Sequence, residues 1–84
     1  MAPFAFSMCN IAVGEEIEFW RSVNEPSGIM CTVADDKHVE YDGQQWSLTA
    51  LAKHLLGTKG AIAGPRYFKY KGEWLNDIRR RKGV

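Results

Sequence analysis

The hydrophobic period of this chain changes once, at Trp46/Ser47, and that change limits the possible folds more than any other feature. Before it, apolar and polar residues alternate over short runs divided by turn formers, the period of half-buried strands. After it, Leu48, Leu51, Ala52 and Leu55 recur at i, i+3, i+4 and i+7, the period of a helix with one apolar stripe. A sheet laid down first and then covered by a helix is an α+β arrangement. The chain has 84 residues, too few for a doubly wound fold, whose βαβ units take about 30 residues each. A single domain over residues 1–84 fits, and would bury roughly 60–65% of the surface its unfolded chain exposes.

The strand half divides at its turns. Residues 4–11 are apolar at near-alternate positions and read either as a strand or as a short docking turn. Residues 16–23 place Ile17 and Phe19 on one face of a strand, with Trp20 out of phase with them. Residues 24–28 (Asn-Glu-Pro-Ser-Gly) are dense in turn formers. Residues 29–34 then pair antiparallel with the first strand, and a short third strand covers residues 38–41. Asp42-Gly43 is the strongest hairpin signal, because a type I′ turn needs φ > 0 at both central positions. Residues 44–46 return as a fourth strand and complete a β-meander.

In the second half, Ser47 is placed to cap the helix start, and Gly57 to end it in the left-handed region. Residues 58–65 form a loop. Residues 66–70 (Arg-Tyr-Phe-Lys-Tyr) read as an aromatic strand. On it Tyr67, Lys69 and Lys71 would point one way and Arg66, Phe68 and Tyr70 the other. Lys71-Gly72 then turns the chain, and residues 73–82 read as a short helix with its acids early and its bases late, as the helix dipole favours.

Charge is the second informative feature. The net charge of +1 is a cancellation. Residues 1–46 hold eight acids against Arg21 and Lys37, a sum of −6, and residues 47–84 hold nine bases against Glu73 and Asp77, a sum of +7. Either the halves face and neutralise each other, or a basic face is offered to phosphate or another acidic surface.

Most chemistry is excluded. The only cysteines are Cys9 and Cys31, the only histidines His38 and His54, and no Cys-x-x-Cys occurs, so no metal site is expected. The cysteines read as buried reduced thiols. The glycines at 57, 60 and 64 lack the Lys-Ser/Thr of a phosphate-binding loop. Glu15-Glu16 and Asp35-Asp36 read as solvated turn residues, His38 as exposed, and His54 as lying at the core boundary. No catalytic residue and no cofactor are expected. The N-terminal residues lack a signal-peptide pattern, and no apolar run approaches the roughly 20 residues of a membrane span. The expectation is a cytoplasmic protein without a membrane partner.

What remains is a constellation of aromatics and bases. Arg66, Tyr67, Lys69, Tyr70 and Lys71 interleave on one segment, and Arg79, Arg80, Arg81 and Lys82 follow at a helix end. Bases can hold a phosphate backbone while aromatics stack on nucleobases. Lys59 adds a charge in the loop. Trp20, Trp46 and Trp74 are candidate stacking or interaction residues, since exposed tryptophans often anchor interfaces.

Four segments resemble a known family when taken in order: residues 39–43 (Val-Glu-Tyr-Asp-Gly), residues 47–52 (Ser-Leu-Thr-Ala-Leu-Ala), residues 56–57 (Leu-Gly), and residues 64–75 (Gly-Pro-Arg-Tyr-Phe-Lys-Tyr-Lys-Gly-Glu-Trp-Leu), with Arg79 beyond. Over residues 28–82 they resemble the restriction enzyme–adenine methylase-associated (RAMA) domain. Where many relatives carry Asn-Gly-Trp, this chain has Gly64-Pro65-Arg66, which places it on a divergent branch. The resemblance implies an α+β accessory module that binds DNA, in some cases methylated at adenine, beside a restriction enzyme, methyltransferase or nuclease. The leading expectation is therefore a non-catalytic module for duplex DNA. The bases at 59, 66, 69, 71 and 79–82 would hold phosphates, and Tyr67, Tyr70 or Trp46 would stack. The runner-up is a protein-interaction module, an inhibitor or adaptor in a defence system, using Trp20, Trp46 and the acidic meander.

Overall fold

The computed structural model describes residues 4–82. Residues 1–3, part of the stretch that lacks a signal-peptide pattern, and residues 83–84 lie outside the described residues. The strands are β1 (Glu16–Ser22), β2 (Glu25–Val33), β3 (His38–Tyr41), β4 (Gln44–Ser47), β5 (Phe68–Tyr70) and β6 (Glu73–Trp74), and the helices are α1 (Leu48–Leu56) and α2 (Leu75–Arg81). The fold is α+β, as the change of period predicts. One antiparallel sheet runs in the order β4-β3-β2-β1-β5-β6, so the aromatic strand joins the meander along the free edge of β1. No helix among the described residues is long and apolar enough to cross a membrane.

The core lies on one face of this sheet. Ile17 and Phe19 of β1, Cys31 and Val33 of β2, Val39 of β3 and Phe68 of β5 are all buried there with Leu51 of α1 and Leu75 and Ile78 of α2. Residues 4–11 supply a docking 3-10 turn (Phe6–Cys9) rather than a strand. Phe6 is fully buried, and its N–H donates to the Asp36 carbonyl at 2.8 Å. The Asp36 carboxylate accepts from the Ser7 N–H at 2.8 Å and the Ser7 hydroxyl at 3.2 Å. Asp36 is thus an exposed turn residue, as its sequence position predicts, that also tethers the N-terminal segment. Its neighbour Asp35 accepts from the Lys37 N–H and pairs with His38 Nδ1 at 2.9 Å.

Three local readings are corrected. First, the turn expected over residues 24–28 is narrower and earlier: β2 begins at Glu25, and only Val23 and Asn24 lie between the Ser22↔Glu25 pair that closes the hairpin. The register slips between Phe19↔Ile29 and Trp20↔Pro26. The Ser27 hydroxyl fills the break by donating to the Phe19 carbonyl and accepting from the Ile29 N–H. Of the turn formers here, Asn24 makes the reversal, while Pro26, Ser27 and Gly28 make a bulge. Second, Gly64–Tyr67 is a 3-10 turn with Pro65 in its first turn, so β5 begins only at Phe68. Third, Lys71 and Gly72 have φ of 51° and 82°, and Tyr70 pairs with Glu73. That is a second hairpin with positive φ at both central residues, like Asp42-Gly43 (φ 55° and 77°). It returns Glu73 and Trp74 to the sheet and delays the helix to Leu75.

Ser47 caps α1 as its sequence position predicts, accepting from the Ala50 N–H at 3.1 Å, and Gly57 ends the helix at φ 73°. Both cysteines are free and buried. Burial pushes the Cys31 thiol up to about 12 and also raises Cys9. Among the described residues no group of three or more His, Cys, Asp or Glu converges as a metal site would require.

Candidate nucleic-acid interface

No ion pair joins the two charged halves among the described residues. The pairs there are His38–Asp35, Arg80–Asp77 and Arg81–Glu73, and each joins residues of the same half. Hydrogen bonds do cross between the halves, among them one from the Tyr70 hydroxyl to the Glu15 carboxylate and one from the Arg21 guanidinium to the Leu55 carbonyl at 3.2 Å. Both charges thus remain available at the surface.

The bases gather around α2, whose last turn carries Arg79, Arg80 and Arg81 because Leu75 and Ile78 occupy its buried face. On one side Arg81 and Lys82 line a shallow cleft of about 270 Å³ with Lys71, which the β5–β6 turn projects, and with Tyr70. On the other side Arg79 lines a cleft of about 440 Å³ with Lys37, Thr49, Gly64 and Asn76. Arg79 also lies over the Phe4 ring, 5.9 Å from its centroid. The structure thus assembles Lys71, Arg79, Arg81 and Lys82 along one ridge. It adds Lys37, a base that sequence proximity could not suggest because it comes from the β2–β3 turn. Arg80 is the outward member of the run, held to Asp77.

Other candidates lie elsewhere. Because β5 starts late, Tyr67 leaves the expected face and stacks on Phe19 at 6.5 Å with the rings inclined by 29°, and Arg66 lies over its ring at 5.8 Å. Lys59 is an exposed residue of the loop after α1. Tyr70 is half-buried, and its hydroxyl is taken by Glu15, so its ring is fixed at the cleft wall. Trp46 lies against the His54 ring at 4.8 Å, and its Nε1–H donates to the Tyr41 carbonyl at 3.2 Å. That stacking occupies one face of the indole.

Lys69 is the base that the fold separates from the ridge. Strand alternation sends it to the opposite face of the sheet from Phe68 and Tyr70. Its Nζ sits 3.9 Å from the centroid of Trp20 and 4.6 Å from that of Trp74. The indoles meet edge to face at 5.6 Å. Glu18 is the direct cross-strand neighbour of Lys69, yet the ammonium is held by the rings instead. A half-buried cation over an indole gains about 0.5–2 kcal/mol. Trp20 is therefore part of a cluster on the outer face of the sheet, and its Nε1 is enclosed there without an acceptor. The sequence signal is present in the phase of Trp20 and Lys69, but nothing in the sequence pairs β5 with β1.

No protein-family model, curated protein or solved structure matches this chain.

Proposed function

We propose that this protein is a non-catalytic nucleic-acid-binding module that holds duplex DNA along the ridge formed by Lys71, Arg79, Arg80, Arg81 and Lys82. The observation that carries the reading is the segregation of charge without ion pairs between the halves, which leaves a basic ridge facing solvent. Lys37 joins it from a distant turn. Bases spread over two shallow clefts suit a repeating phosphate backbone better than one small anion. Lys59 and Arg66 would extend the contact, while Lys69, engaged by two indoles, would take no part. The resemblance to the RAMA domain supports the same reading and extends it to DNA methylated at adenine, in the setting of a larger restriction, methyltransferase or nuclease protein.

Fluorescence polarisation of a labelled duplex across a salt series tests this. Wild type should bind at low salt with a steep slope. An Arg79/Arg80/Arg81→Ala variant should reduce that slope by about 2–3 in the log–log plot, roughly 0.9 for each phosphate that is no longer neutralised. A wild type that does not bind at low salt overturns the reading. A duplex carrying N6-methyladenine, run in parallel, tests the modified-base preference. Tighter binding supports it, and equal binding restricts the module to sequence-independent recognition of the phosphate backbone.

A further inference from the structure

Both helices pack on the core side of the sheet, and the opposite face is acidic where the ridge is basic. Register arranges its side chains in rows. Gln45, Glu40, Thr32 and Glu16 lie opposite one another across β4, β3, β2 and β1. The next row runs Met30, Glu18, Lys69 and Trp74 across β2, β1, β5 and β6. Trp20 follows at its edge, against Lys69 and Trp74. Glu16 and Glu18 are about 7 Å apart along their strand, and Glu16 and Glu40 about 10 Å apart across two strand spacings. None of the three carboxylates has an ion-pair partner among the described residues. Of the basic side chains on the face, Lys69 is diverted onto the indoles and His38 is paired with Asp35. Beside the acids Met30 stands 46% exposed in the middle of a strand, where alternation alone would permit a polar residue.

We propose that this face docks a cationic amphipathic segment of a partner protein. Its bases would meet Glu16, Glu18 and Glu40, and its apolar residues would lie on Met30 and the Trp20–Trp74 pair. Charge complementarity selects the occupant: a surface carrying three unpaired carboxylates repels nucleic acid and acidic proteins, and attracts a basic one. Met30 supplies the exposed apolar anchor that a purely electrostatic contact lacks, and the half-buried Trp20–Trp74 pair with Lys69 borders it. The ridge at α2 lies on the core side of the sheet, so DNA and the segment would not compete for surface.

The test uses a short labelled helical peptide of leucine and lysine, an otherwise identical leucine–glutamate peptide, and a lysine–serine peptide without apolar residues. The intact protein should bind the leucine–lysine peptide with salt-sensitive affinity, at least about tenfold more tightly than the other two. An E16Q/E18Q/E40Q variant should lose that preference while holding duplex DNA at least as tightly as wild type. The Arg79/Arg80/Arg81→Ala variant should bind the peptide undiminished. Near-UV circular dichroism checks the fold, and E16Q/E40Q, which alters only exposed residues, replaces the triple variant should it unfold. Equal binding of the peptides, or undiminished peptide binding by the glutamine variant, overturns the proposal and leaves the DNA reading untouched.

Discussion

Gly64 shows how one missing side chain positions an edge of the ridge. It is buried against the first turn of α1, and its N–H donates to the Thr49 hydroxyl at 3.3 Å. A Cβ placed there would lie 2.6 Å from the Thr49 Cα and from the Leu48 carbonyl carbon, and nearer still to the Thr49 nitrogen. Those neighbours are backbone and cannot rotate away. Gly64→Ala should therefore destabilise the protein by about 1–3 kcal/mol, measured by urea unfolding. Glu15 and Tyr70 illustrate a polar residue-scale effect. The Tyr70 hydroxyl, and then the Ala12 N–H, hold the Glu15 carboxyl below its ordinary 4.5. Its contribution is present above pH 4.5 and is lost as pH falls through the lower folded value. The same bond raises the Tyr70 hydroxyl above its ordinary 10, so that contribution is present below pH 10 and is lost as pH rises through the raised value. Both groups are solvent-screened, and the effect is small. Tyr70→Phe should be less stable than wild type between about pH 5 and 9, and the gap should close in stronger acid and stronger alkali. Unfolding midpoints measured against pH would show a constant gap if the bond contributed nothing. Neither feature is legible in the sequence: each joins residues far apart in the chain.

At the scale of elements, local chemistry is most legible where one residue acts on its own backbone. Ser47 and Gly57 bound α1 because a hydroxyl and a left-handed glycine satisfy the helix ends without outside help. Ser47→Ala should cost about 1 kcal/mol, lowering the melting temperature by about 4–8 °C in a domain of this size. Asp42-Gly43 declares its hairpin for the same reason. Lys71-Gly72 makes the matching turn, but a lysine carries little left-handed signal, so residues 73–74 read as helix until pairing with β5 is seen. Pro65 reads as part of a loop, yet its restricted φ starts the 3-10 turn that removes Arg66 and Tyr67 from the strand. Asn-Glu-Pro-Ser-Gly reads as a reversal because turn formers also make bulges, and only the partner strand decides which.

On the scale of the whole molecule, both thiols report on the integrity of the core. Cys9 and Cys31 are buried, and their raised pKa values disfavour the reactive thiolate. Neither should react with a thiol reagent in the native protein, and both should react together as urea unfolds it, following the circular dichroism transition. Reaction of Cys9 alone below the transition would show that the N-terminal turn opens separately. Two opposed charged faces are likewise a property of the whole. The opposite charges of the two halves can be read by counting, and so can the α+β class, because period and turn chemistry act over a few neighbouring residues. Whether those charges cancel cannot be read, since it depends on which edge of the meander β5 joins and on which side α2 packs. Docking β5 onto β1 sends Lys69 to the indoles, and burying Leu75 and Ile78 turns Arg79 and Arg81 outward beside Lys37 and Lys71. Side-chain periodicity is local and was written in the sequence, whereas the meeting of charges from distant segments was decided only when one shared core fixed every element's facing.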